Sequence, residues 1–95
     1  MTLDPQRRED LQLSILRVLD ANPSRFGLPL DAVVLHVSRY GFAHITRDVV
    51  EVELDYLREK GLVDNPPKPI EPSLRVWVRT AAGRDFLTGR IATPN

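Results

Sequence analysis

The chain has 95 residues and a mass of 10.8 kDa, with 13 basic and 13 acidic side chains and a formal net charge of zero. That length suits one domain, and 42% hydrophobic with 27% charged residues suits a single apolar core under an ordinary surface. The balance argues against a disordered chain and against a strongly basic nucleic-acid coat, and the lack of cysteine excludes disulfides and thiolate metal sites.

The first element reads as a helix. Asp4 suits its N-cap and Pro5 its first position, where the missing N–H would have had no partner. Leu11, Ile15, Val18 and Leu19 recur at helical steps and form one apolar face. Leu13 and Leu16 fall off that stripe, so the helix is either buried on two sides or meets another subunit. Asn22-Pro23 ends it. Residues 23–30 read as a loop with a short extended segment around Leu28.

A second helix is expected from Asp31 to Tyr40, with Val34, Leu35 and Val37 as apolar positions and Gly41 as a left-handed stop. After the connection Phe42 to Ile45, Thr46 suits the N-cap of a third helix. Its buried seam is Val50, Leu54 and Leu57, flanked by Val49 and Tyr56, and Gly61 stops it. Leu62 and Val63 open a strand. Residues 65–73 hold Pro66, Pro67, Pro69 and Pro72, too many for a regular ladder, and read as a stiffened hairpin loop. Leu74 to Arg79 alternates, with Leu74, Val76 and Val78 on one side and Arg75, Trp77 and Arg79 on the other. Thr80 looks like the N-cap of a last short helix containing Phe86 and Leu87, with Gly89 as its stop and a loose tail from Ile91 to Asn95.

This order predicts an α+β chain of the winged helix-turn-helix type. It has a three-helix core, a two-stranded β-hairpin wing and a short C-terminal helix, in one domain over residues 1–95 and ordered over about 4–90. The residues that carry the likeness are Thr46-Arg47-Asp48-Val49-Val50, Glu53-Leu54-Asp55-Tyr56-Leu57, Gly61-Leu62-Val63, and Gly89-Arg90 with Pro94. The chain resembles a family of small winged-helix proteins of Mu-like transposable phages and prophages. That family's pattern is Ser-Arg-Asp-x-Val, Glu-Leu-x-Trp-Leu, Gly-Leu-Val and a late Gly-Arg followed by proline. The match covers nearly the whole chain, with Tyr56 in place of the tryptophan and a proline-rich wing tip as departures. The resemblance implies a phage or prophage protein with DNA-linked work, and it carries over no catalytic residue.

The neutral total hides a split. Residues 46–65 hold three basic side chains (Arg47, Arg58, Lys60) against six acidic ones (Asp48, Glu51, Glu53, Asp55, Glu59, Asp64), a net of −3. Residues 66–95 hold five basic (Lys68, Arg75, Arg79, Arg84, Arg90) against two acidic (Glu71, Asp85), a net of +3. A recognition helix enters the major groove by its N-terminal end. With Val50 at the centre of the buried face, about 100° per residue sets Asp48, Glu51, Val52, Asp55 and Glu59 on the opposite arc. Duplex DNA repels such a stripe. DNA contact is therefore expected from His44, Thr46 and Arg47 around the turn, with Arg39, Lys68 and Arg75 on phosphates. The alternative is a solvated helix on which Arg47 and Arg58 pair with Glu51 and Asp55.

The wing offers a parallel choice. Basic residues around Trp77 suit a nucleic-acid backbone, or else Trp77 packs beneath the first helix with the arginines lying over its edge. A protein-binding role would use Leu13, Leu16, Glu51, Val52, Asp55 and Trp77, toward a second copy or another phage protein.

His36 and His44 lack a metal-ligand spacing, the serines lack a nucleophile motif, and the five glycines form no phosphate loop. An enzyme, a cofactor, a metal and a small-molecule ligand are not expected. No stretch reaches the roughly 18–20 apolar residues of a membrane span. Met1-Thr2-Leu3-Asp4-Pro5 has no basic region followed by an apolar run, so the expected place is the cytoplasm of a bacterial host cell.

Overall fold

The computed structural model describes residues 4–22, 27–66 and 75–92. Helix α1 (Pro5–Ala21) is followed by α2 (Leu30–Ser38), α3 (Arg47–Glu59), strands β1 (Val63–Asp64) and β2 (Val78–Arg79), and α4 (Ala81–Ala92). The strands pair antiparallel with Val63 opposite Arg79 and Asp64 opposite Val78. This is the winged-helix fold expected from the sequence. Lys68 and Leu74, with most of the proline loop, lie outside the described residues.

The helix starts follow the caps. Asp4 Oδ1 accepts from Arg7 N at 2.8 Å, and Pro5 opens α1. Thr46 Oγ1 accepts from Val49 N at 3.4 Å. Thr80 Oγ1 accepts from Gly83 N at 3.0 Å and donates to Gly61 O at 2.7 Å, so one hydroxyl starts α4 and ties it to the end of α3. Gly41 takes the positive φ expected of it, and Gly61, expected as the stop of α3, takes one too. Several boundaries move: α2 begins at Leu30 rather than Asp31, and β1 at Val63 rather than Leu62. α2 ends at Ser38 rather than Tyr40, and α4 runs through Gly89, the expected stop, to Ala92.

The core answers the question posed by the extra leucines of α1. Leu11, Ile15, Leu16, Val18 and Leu19 are all buried, together with Val33, Val37, Val50, Leu54 and Leu57. α1 packs against α2, α3, β2 and α4, so it is buried on two sides. Leu13 is half-buried and packs on the same core. α4 closes the far side through Gly83 and Leu87. A Cβ at Gly83 would stand 2.1 Å from the Leu62 carbonyl oxygen, so only glycine lets the two backbones meet there.

The strand alternation expected over 74–79 does not hold. Val76 and Trp77 are both buried. The reason is a second pairing. Trp77 N donates to Leu28 O at 2.7 Å, and Leu28 N donates to Trp77 O at 2.9 Å. The extended segment at Leu28 thus holds Trp77 against the core, while Val78 and Arg79 pair with β1. Arg79 folds back onto α1, with its Nε 2.8 Å from Asp20 Oδ1. Among the described residues no helix is long and apolar enough to cross a membrane.

Candidate nucleic-acid interface

The corner between α2 and α3 is fastened from behind by α1. Phe42 is buried, and the Arg7 guanidinium lies 4.3 Å from its ring centroid. Arg7 Nη2 also donates to Gly41 O at 3.2 Å. One side chain therefore fixes both the turn's backbone and its apolar anchor. Around that anchor Arg39, Tyr40, Ala43, His44, Thr46 and Arg47 are exposed. Expected DNA contacts thus do converge here: Arg39 at the end of α2, His44 in the turn, and Thr46 with Arg47 at the start of α3.

Two of these groups are already engaged. The Thr46 hydroxyl caps α3. Arg47 Nε lies 2.9 Å from Asp31 Oδ1 in the first turn of α2. The solvated-helix alternative pairs Arg47 with Glu51 along its own helix. Arg47 reaches instead across to α2, because as the first residue of α3 it sits beside the first turn of the neighbouring helix. The same alternative pairs Arg58 on its own helix. Among the described residues the Arg58 and Arg39 side chains are exposed and make no ion pair or hydrogen bond.

The outer face of α3 is as acidic as the helical wheel implies. Asp48, Glu51, Asp55 and Glu59 are exposed and make no ion pair among the described residues, and Val52 between them is 59% exposed. The inner face holds a fifth carboxylate, outside the acidic arc. Glu53 is buried and accepts from Arg8 Nε at 2.9 and 3.0 Å and from Gln12 Nε2 at 2.8 Å. Arg8 also lies over the Tyr56 ring at 5.0 Å, with Lys60 at 5.5 Å. The wheel carried this signal, since Glu53 falls about 60° from Val50 at 100° per residue.

The wing contributes less than expected. Arg75 is exposed, but its Nη1 donates to Asn65 O at 2.7 Å. Arg79 is committed to Asp20. Trp77 and Leu16, both expected at a partner surface, are core residues, so neither offers a side chain to one. Glu51, Val52 and Asp55 remain exposed. Lys68 is outside the described residues.

The helix-turn-helix corner, the paired strands after it and the covering fourth helix define the winged-helix class. No family model matches the chain, and no curated protein matches it. Among solved structures it is similar to the transcriptional regulator BldR from Sulfolobus Solfataricus, with a TM-score of 0.62 and 19% identity. The likeness covers 86% of this chain and 53% of that one, so the chain spans about half the length of that regulator. At this identity the likeness shows the fold.

Proposed function

We propose that the chain is a DNA-binding winged-helix module of transcriptional regulation that works as a dimer. The observation that carries the reading is the exposed corner, fastened by Arg7 and Phe42, that brings Arg39, His44, Thr46 and Arg47 to one place. The fold likeness to a transcriptional regulator supports the regulatory half. The motifs shared with winged-helix proteins of Mu-like phages support a phage or prophage setting.

In this reading the corner meets the duplex and the acidic length of α3 stays clear of it. Arg39, Arg47, Lys68 and Arg75 serve phosphates, and His44 and Thr46 approach base edges. Paired half-sites on DNA would then match a pair of protein copies.

The test is a fluorescence-anisotropy titration of labelled duplex at two salt concentrations. About four phosphate contacts give a slope of about −3.6 in log K against log salt, a loss of about 100-fold from about 50 to 200 mM. Absence of binding at about 50 mM overturns the reading.

The bare carboxylates of α3 and exposed Val52 favour a second reading, in which the module docks a basic protein surface, on a second copy or on a phage assembly or packaging partner. A salt-insensitive failure to bind duplex, with association seen by light scattering, selects that reading.

A further inference from the structure

Arg47 is a cation at the first position of a helix, where the backbone dipole disfavours positive charge. A counter-charge is therefore valuable there, and the protein supplies one from a different helix. Asp31 Oδ1 stands 2.9 Å from Arg47 Nε, while Arg47's own helical neighbour Glu51 is left without a cation. Both partners are open to water, with side chains 64% and 79% exposed. A carboxylate and a phosphate offer a guanidinium the same pair of acceptor oxygens. The position Asp31 fills beside Arg47 is thus one that a DNA phosphate could take over.

We infer that Asp31 is a gate on DNA binding: it holds Arg47 in the free protein and must give it up when the duplex arrives. The inference rests on the DNA-binding reading above and goes beyond it by naming a residue that opposes binding. An exposed pair of this kind is weak, so the gate tunes affinity and does not block it. The exchange has a direction. Duplex DNA concentrates negative charge along its axis, and Asp31 offers a single carboxylate. Arg47 therefore moves to the phosphate, and Asp31 is left facing the duplex as an unpaired anion.

The test is a double-mutant cycle read by anisotropy with labelled duplex, using Asp31→Asn, Arg47→Gln and the double variant. Asp48→Asn serves as a control that removes an equal charge next to Arg47 in the chain, from a carboxylate that makes no ion pair with it. Circular dichroism confirms that each variant folds. Asp31→Asn should tighten binding about two- to fivefold, the range set by an exposed ion pair. Arg47→Gln should weaken binding and lower the salt slope by about one. In the Arg47→Gln background, Asp31→Asn should do no more than Asp48→Asn does.

Equal tightening by Asp31→Asn in both backgrounds means a long-range charge effect alone. That outcome overturns the gate and leaves the DNA-binding reading standing. If no variant binds at about 50 mM salt, the DNA-binding reading falls and the gate falls with it.

Discussion

Two arginine–carboxylate pairs attach α3 to the rest of the molecule, one on its inner side and one at its outer corner. Arg8 Nε reaches Glu53 at 2.9 Å and Arg47 Nε reaches Asp31 at 2.9 Å. The distances are the same and the surroundings are not. The Glu53 side chain is 6% exposed and that of Asp31 79%. A buried carboxylate has no water to fall back on, so it depends on its partners. An exposed one trades a guanidinium for water at little cost. The inner pair therefore fixes where α3 stands on α1, and the outer pair is free to be exchanged. Distance identifies a pair; burial decides whether it holds structure or can be given up for a ligand.

The largest expected effect tests the inner pair. Arg8→Ala leaves Glu53 buried with Gln12 as its remaining donor, and should cost about 2–3 kcal/mol. In a domain of this size that lowers the midpoint of thermal unfolding by about 10 °C or more. Glu53→Met should cost only about 1 kcal/mol, because it removes the buried charge and leaves Arg8, whose side chain is 46% exposed, in contact with water. Urea denaturation of the two variants reads the asymmetry. The opposite order would mean that Glu53 does not depend on Arg8, and the contrast between the two pairs would collapse.

Element order was legible in the sequence because caps and breakers act locally. Asp4, Thr46 and Thr80 start helices, and Gly41 and Gly61 follow helix ends, as the chain alone implied. The acidic outer arc of α3 was legible too, since a helical wheel needs only spacing. What the sequence left hidden is long-range. Trp77 shares an alternation with Arg75 and Arg79, yet its burial comes from pairing with Leu28, which lies 49 positions earlier in the chain. Arg47 has Glu51 one turn away but pairs with Asp31 on another helix. Gly89 reads as a stop, but α4 continues through it, since glycine weakens a helix without ending it. Fold depended on local rules and was readable; the candidate site depends on which charges meet across elements, and spacing along one chain does not contain that.

Between the two pairs in size lies the cap that sets the start of α3. Thr46→Ala removes the acceptor for Val49 N and should cost about 0.5–1 kcal/mol, toward the lower end of cap effects because the hydrogen bond is 3.4 Å long. Thr46→Ser keeps the hydroxyl and should recover most of that loss. The pair of variants also separates two roles at one residue. If Thr46 only caps, DNA affinity should follow stability, so Ser restores both. Full stability in Thr46→Ser with affinity still reduced assigns the threonine methyl a contact of its own.

The smallest effect on stability belongs to the outer pair. Asp31→Asn breaks an ion pair between exposed groups, and it also removes a negative charge from the first turn of α2, where the helix dipole favours one. Each contribution is small and both are screened by salt. At about 150 mM salt the sum should stay near 0.5 kcal/mol in chemical denaturation, several times less than Arg8→Ala. A loss as large as that of Arg8→Ala would make the outer pair structural after all. A guanidinium so firmly held would not be surrendered to a phosphate. The low stability cost and the gain in DNA affinity expected of the same substitution are thus one requirement: Asp31 can gate binding only if the fold does not depend on it.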